Sequence, residues 1–301
     1  MAVDSQWSDV VLLLPLTDDT DDARPHTVNV NGGAVIASTV GNLFGAGNAL
    51  YLDGVNNYIT ATSADFALGT GDFSIQFGIY PISGGHGGAY SRILQIGPDA
   101  TNGSLYIVSN NLDNPMTLLI QHYSGGYVNT IDYVATTISN SAWHYIQLDR
   151  VAGSFFLYVD GSLYSAKATS ISFSGTTLSI GCNTTGGGPF NGYIGPVRIT
   201  KGSYRTDHST PTSAFPRPTI SGTVYDSVGA KASKVVVALD RSSMTLAKQA
   251  VSDATLGTYT IYPYDYSEHV TIEFDTATYP LVDGGSRSEE HTSELQSRQV
   301  I

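Results

Sequence analysis

The chain has 301 residues, of which 41% are hydrophobic and 13% charged, with 32 Gly and 19 Tyr. Disordered chains combine high charge with few aromatics, so this composition describes a folded, turn-rich protein large enough for one sizeable core and a smaller one. Its net charge of −12 repels phosphate backbones and anionic lipid, which excludes nucleic acid and membrane surfaces as partners.

In chain order, short apolar or alternating runs are punctuated by Gly, Asn and Asp, and no stretch keeps a helical period. Strands are predicted over 10–16, 49–52, 58–61, 73–80, 92–96, 105–108, 117–122, 143–150, 155–159, 163–166, 177–180 and 192–200. The first of them, with Asp4 and Asp9 before it, is too short for a membrane span and lacks a basic leader, so no signal peptide or transmembrane helix is expected. A protein that leaves the cytosol by another route, or is assembled into a particle, fits that pattern.

Ala152-Gly153 and Asp160-Gly161 sit where two alternating runs must reverse, and Asp-Gly tolerates the positive φ of a type I′ turn, so 143–166 reads as a three-strand meander. By alternation one of Trp143 and His144 points inward, and Trp143 is expected in the core. Cys182, the single cysteine, has no disulfide partner and is expected as a small buried hydrophobe. Prolines at 211, 216 and 218 mark an extended connection and a domain boundary. Beyond it, runs at 219–225, 234–240, 258–262 and 270–274 describe a compact β-sandwich. The segment 287–297 resembles the in-frame translation of a sequencing adapter, and 287–301 is set aside as a non-native tail.

Four segments then carry a resemblance: Asp9-Val-Val-Leu-Leu-Leu-Pro-Leu16; Ala49-Leu-Tyr-Leu-Asp-Gly-Val-Asn-Asn-Tyr58 with Phe66-Ala-Leu-Gly-Thr-Gly-Asp-Phe-Ser-Ile75; Trp143-His144 with Phe156-Leu-Tyr-Val-Asp-Gly161; and Phe190-Asn-Gly-Tyr-Ile-Gly-Pro-Val-Arg-Ile-Thr-Lys-Gly202. Together they resemble a laminin-G-like domain of the concanavalin A-like superfamily, in the form seen in tailed-bacteriophage structural proteins. Ile220-Ser-Gly-Thr-Val-Tyr-Asp226 and Ser252-Asp-Ala-Thr-Leu-Gly-Thr-Tyr259 are similar to transthyretin-like or carboxypeptidase-regulatory-like sandwiches. The resemblance implies an all-β chain: an antiparallel jelly-roll β-sandwich over 1–216 followed by a small Ig/transthyretin-like sandwich over 217–286. It also implies a virion or extracellular surface location, with a cell-surface glycan or neighbouring virion subunits as partners and homo-oligomerisation open. Three readings follow from it: a carbohydrate-binding or adhesion module, a purely structural assembly module and, ranked last, a polysaccharide-degrading enzyme.

Candidate sites are few. Asp18-Asp-Thr-Asp-Asp22 clusters four carboxylates within five residues, and hard oxygen ligands at short spacing suit Ca²⁺, with Asp18, Asp19 and Asp21 joined by Asp53 as the ligand set. The alternative is a solvated loop, since no EF-hand pattern is present. Asp53 and its neighbours Asn56 and Asn57 equally suit a turn, because Asp and Asn bond their own backbone. The Gly-rich and aromatic loops at 83–90 and 123–127 offer flat rings beside polar groups, as sugars require, with Tyr90, Tyr123 and Tyr127 as platforms and His86 and Asn129 as polar partners. Against this, Tyr is a common strand residue and Gly a common loop residue, so composition alone produces such clusters.

Catalysis is not expected. Glucanases of the resembled superfamily use paired glutamates, since a retaining mechanism needs two carboxyls ~5 Å apart. Every Glu here lies at position 268 or later, and no predicted strand places two Asp at i, i+2 on one face. Nucleophile elbows, phosphate loops and zinc spacings are also missing from the sequence.

Overall fold

The computed structural model describes residues 4–17, 20, 22–82, 90–110, 116–225, 229–240, 243, 246–264 and 269–274. It contains two compact units, one spanning Ser5–Phe215 and one containing the described residues from Pro216 onward.

The first unit holds β1 (Val10–Leu14), β2 (Val28–Asn31), β3 (Val35–Ala37), β4 (Ala49–Asp53), β5 (Tyr58–Thr62), β6 (Phe73–Pro81), β7 (Tyr90–Ile96), β8 (Leu105–Asn110), β9 (Met116–Tyr123), β10 (Tyr127–Ile138), β11 (His144–Val151), β12 (Ser154–Val159), β13 (Ser162–Ala168), β14 (Thr177–Ile180) and β15 (Asn191–Lys201). Seven form one sheet in the order β10-β9-β8-β7-β14-β5-β2. The other sheet runs β13-β12-β11-β6-β15-β4-β3, with β1 also paired to β15.

Alternation explains why the two sheets pack. Phe73, Ile75, Phe77 and Ile79 of β6 face Leu105, Ile107, Leu118, Ile120 and Ile131 of the seven-stranded sheet across one continuous buried cluster. Each such side chain contributes ~1.5–3 kcal/mol by leaving water. Phe155 stacks on Phe173 at 5.7 Å and meets Phe73 edge-on at 5.6 Å, closing one end of the core. The predicted turns form: Ala152 and Gly153 have φ of 48° and 78°, and Asp160 and Gly161 have φ of 48° and 81°. Cys182 is buried, and its burial pushes the thiol up to about 12.

Three strands depart from the sequence reading. β2 and β3 are edge strands of four and three residues whose Val30 and Val35 are about half exposed, too short to stand out from the surrounding loops in the sequence. β10 runs twelve residues with three register shifts against β9, and each shift breaks the period of two. Trp143 is also not a core residue. It is half-buried, lies over Gly78 and Gly195 next to Tyr80, and donates from Nε1 to Val40 O at 3.3 Å. His144 is the buried member of that pair.

The outer face of the eight-stranded sheet is occupied by its own chain. Arg205 N donates to Ser74 Oγ, Gln147 Nε2 donates to Arg205 O, and His208 Nε2 shares a hydrogen bond with the buried Asp149 at 3.0 Å. Phe215 joins Trp7, Leu13 and Tyr145 in a second small cluster there. The segment 202–215 therefore straps this face.

A clasp fixes the chain after β1. Asp22 Oδ1 accepts from Leu13 N and Arg24 N, its Oδ2 meets His26 Nδ1 at 2.6 Å, and His26 Nε2 meets Asp65 Oδ2 at 3.0 Å. The hydrogen bond from Asp22 raises the His26 pKa above its ordinary value, burial raises Asp22, and the His26 bond lowers Asp65. A raised histidine contributes stability that is present below its unfolded pKa of ~6.5 and is lost as pH rises through the folded value. Asp22 and Asp65 are shifted in opposite directions and oppose each other in the acid range, so the basic side is diagnostic. The melting temperature is expected to fall as pH rises from neutral, and His26→Gln should flatten that slope; equal slopes in both proteins would refute the clasp.

The second unit pairs β16 (Ile220–Thr223) with β19 (Thr258–Ile261), and β17 (Val235–Asp240) with both β18 (Leu246–Val251) and β20 (His269–Phe274). Val224, Val236, Ala238 and Ile261 form its core. β18 escaped the sequence reading, since Leu246 and Val251 are exposed. The chain is thus all-β, two sheets in a sandwich followed by a small β unit.

Candidate functional site

A cleft of about 500 Å³ opens on the outer face of the seven-stranded sheet. Its floor follows from pairing. Asn129, Gln121, Tyr106 and Gln95 lie opposite one another across β10, β9, β8 and β7, and Tyr127 and Tyr123 form the next pair on the same face.

Arg92 reaches this face only because β7 is irregular. Arg92 pairs with Val108 and Leu94 with Ile107, so Ile93 is an extra residue on its strand. Ile93 and Leu94 both enter the core, and the bulge turns Arg92 outward, opposite to the side that unbroken alternation assigns it. Its guanidinium carbon then lies 5.0 Å from the Tyr106 ring centroid and 5.4 Å from that of Tyr127. Tyr127 meets Tyr123 edge-on at 5.3 Å.

Two loops wall the cleft. In the first, Ala100 and Gly103 have positive φ, Ser104 Oγ donates to Pro98 O, and Asn102 Oδ1 accepts from Gly125 N, tying the β9–β10 hairpin tip to it. This fold of the loop presents Asp99. In the second, Asn183 Oδ1 accepts from Thr185 N, Thr185 Oγ1 and Gly187 N, while its Nδ2 donates to Asp99 Oδ2 at 3.3 Å. Gly188 has φ of 61°, and a Cβ there would stand 2.9 Å from Tyr90 O, so only glycine lets the loop come this close to β7. Buried Ser91 and Ser179 anchor it through Pro189 O and Cys182 O.

Asp99 is the electrostatic centre. Its Oδ1 accepts from Tyr127 OH at 2.8 Å and from Arg92 Nη2 at 3.5 Å. Burial and the Asp99 bond push the Tyr127 phenol up to about 12, so it stays a neutral donor, and burial raises Tyr106 as well. The cleft offers the exposed rings of Tyr90 and Tyr127, a carboxylate acceptor, and amide groups from Gln121 and Asn183. Among its lining residues Asp99 is the single carboxylate.

The sequence profile of the concanavalin A-like lectin/glucanases superfamily, in its laminin-G type, matches residues 53–207. The chain belongs to this superfamily. No curated protein matches the chain. Among solved structures, the binding domain of botulinum neurotoxin serotype D is similar at 12% identity over 90% of this chain and 73% of its own, with a TM-score of 0.50. Trypanosoma rangeli sialidase in complex with sialic acid is similar at 15% identity over 69% of this chain, which spans only 33% of the sialidase, with a TM-score of 0.50. Domain 4 of AbnA, a GH43 extracellular arabinanase from Geobacillus stearothermophilus in complex with arabinotriose, is similar at 16% identity over 64% of this chain and 93% of its own, with a TM-score of 0.48. At these identities the likeness is one of fold.

Within this superfamily sandwich, the predicted platform residues Tyr90, Tyr123 and Tyr127 and their partner Asn129 fall at or beside the cleft, where Asn129 Oδ1 accepts from Gln121 Nε2. His86 lies outside the described residues, as do Asp18, Asp19 and Asp21. Asp53 Oδ1 accepts from Val55 N, Asn56 N and Asn57 N, which is the turn that its sequence also allowed. Among the described residues no group of three His, Cys, Asp or Glu side chains is placed to hold a metal ion. Arg92, Asp99, Gln121 and Asn183 were missed by the sequence reading. Asn183-Thr-Thr-Gly-Gly-Gly188 and Gly97-Pro-Asp99 were visible turn signals, but nothing in the linear pattern placed them opposite Tyr127.

Proposed function

We propose that this protein is a non-catalytic carbohydrate-binding module and that the cleft between β7, β9 and β10 holds the glycan. The observation that carries this reading is the convergence of exposed Tyr90 and Tyr127 rings with the Asp99–Arg92–Asn183 hydrogen-bonded set in one concave site. Sugars present apolar CH faces and polar hydroxyls together, and a site with rings beside oriented polar groups serves both. Membership of a superfamily of lectins and glucanases supports it. A single lining carboxylate does not supply the acid and nucleophile of glycoside hydrolysis, which favours binding over cleavage. The sequence resemblance to tailed-phage structural proteins supports a location on a virion or cell surface, with a host glycan as the ligand.

The test is a glycan array and bacterial-polysaccharide screen of the full chain, with calcium and with chelator. Reproducible retention of one glycan class is the expected result. A blank screen from well-folded protein would overturn the reading in favour of a structural assembly module, and retention lost in chelator would assign calcium a part in it.

A further inference from the structure

Resting on that reading, we infer that the cleft selects uncharged sugars, bound through hydroxyl donation to Asp99, and rejects sialylated and uronic-acid glycans. The two formal charges of the site are not equally available. The Arg92 side chain is 11% exposed, packs against the adjoining Tyr106 and Tyr127 rings, and directs Nη2 to Asp99. Its Nε is buried without a partner, beneath the reach of a ligand. The Asp99 side chain is 32% exposed, so the charge presented to an incoming molecule is the negative one.

The remaining hydrogen-bonding capacity has the same bias. A carboxylate has about four acceptor positions, and Tyr127 OH, Asn183 Nδ2 and the long Arg92 contact occupy three. Tyr127 spends its proton on Asp99, which leaves its oxygen lone pairs to act only as acceptors. Both groups therefore ask for donors. Sugar hydroxyls donate, and a hydroxyl on a carboxylate makes one of the stronger hydrogen bonds available to a neutral ligand. A ligand carboxylate has no proton to give at neutral pH and meets Asp99 as a like charge. The chain's net charge of −12 adds a repulsive field of the same sign.

The experiment compares matched pairs on the full chain: galactosides, glucosides and arabinosides against their sialylated or uronic-acid counterparts, at low and high salt. The neutral members are expected to bind about ten-fold or more tightly than the anionic ones, with little salt dependence. Asp99→Asn should weaken neutral binding about ten-fold, the share of one charge-assisted hydrogen bond, and narrow the discrimination. Preferred binding of the anionic members, weakened by salt, would overturn the inference while leaving the cleft's glycan-binding role intact. Binding of neither class would overturn the reading beneath it as well. If Asp99→Asn fails to fold, the wild-type pair comparison decides alone.

Discussion

Tyr127→Ala is expected to weaken glycan binding about 30-fold while lowering the melting temperature by only a few degrees. The residue does three things at the cleft at once: it offers a ring face, donates to Asp99, and packs against the Arg92 guanidinium. Aromatic anchors of this kind cost ~2 kcal/mol or more when truncated, and ~1.4 kcal/mol is a factor of ten in affinity. Stability depends on it far less. Tyr127 is 45% exposed, and its ring contacts with Tyr106 and Tyr123 contribute ~0.5–1.5 kcal/mol in a unit where ~1 kcal/mol moves the midpoint by ~2–4 °C. Tyr127→Phe separates the parts, since it keeps the ring and loses only the bond to Asp99. Calorimetric titration with a glycan found by the array, next to thermal melts, measures both. Unchanged affinity, or parallel losses of affinity and stability, would make Tyr127 a packing residue.

The second large effect concerns folding: Arg150→Met should destabilise the Ser5–Phe215 unit by ~3–5 kcal/mol, the magnitude of breaking a buried charged group's network. Alternation along β11 puts Ile146, Leu148 and Arg150 on the core side, and Arg150 is 1% exposed. Its head donates from Nη1 to Gly69 O at 3.2 Å and Ile171 O at 2.8 Å, and from Nη2 to Thr169 O at 3.2 Å, with Phe173 beneath it at 5.7 Å. Burial lowers its pKa from the ordinary arginine value. Methionine fills the stem but strips Ile171 O and Thr169 O of the guanidinium donors, at ~1–3 kcal/mol each before water or relaxation recovers part of the loss, while Gly69 O keeps its bond from Phe173 N. The midpoint should drop by ~10 °C. Arg150→Lys, with a head too compact to span three carbonyls, should fall between the two. Denaturation followed separately for the two units is the measurement, because a chain with two units need not melt in one step. A loss below ~1 kcal/mol would show that the carbonyls find other donors.

Most of the sandwich was legible before any coordinates. The strands β4, β6, β11, β12 and β14 carry regular alternation, β15 was legible despite a register shift between Ile194 and Val197, and Asp160-Gly161 is a turn whose backbone requirement is written in two residues. The strands that were missed, β2, β3, β10 and β18, all lie at sheet edges, where β2 and β3 are only four and three residues long, β10 carries register shifts and β18 exposes its apolar ends. For the candidate site, the sequence pointed to the tyrosines as rings near glycine, but Arg92, Asp99 and Asn183 sit on three separate stretches of chain whose meeting is a matter of strand order.

Composition and alternation, being local properties, determined by themselves that this chain is a β protein with an acidic balance of charge and tyrosines beside glycine-rich turns. Only the tertiary structure decided which of its polar residues face one another. The bulge at Ile93 sends Arg92 outward, the pairing β9-β8-β7-β14 brings its rings and the loops of Asp99 and Asn183 together, and the 202–215 strap covers part of the opposite face. A one-residue slip reverses every side chain beyond it, and that slip is selected by the partners across the ladder rather than by the strand's own sequence.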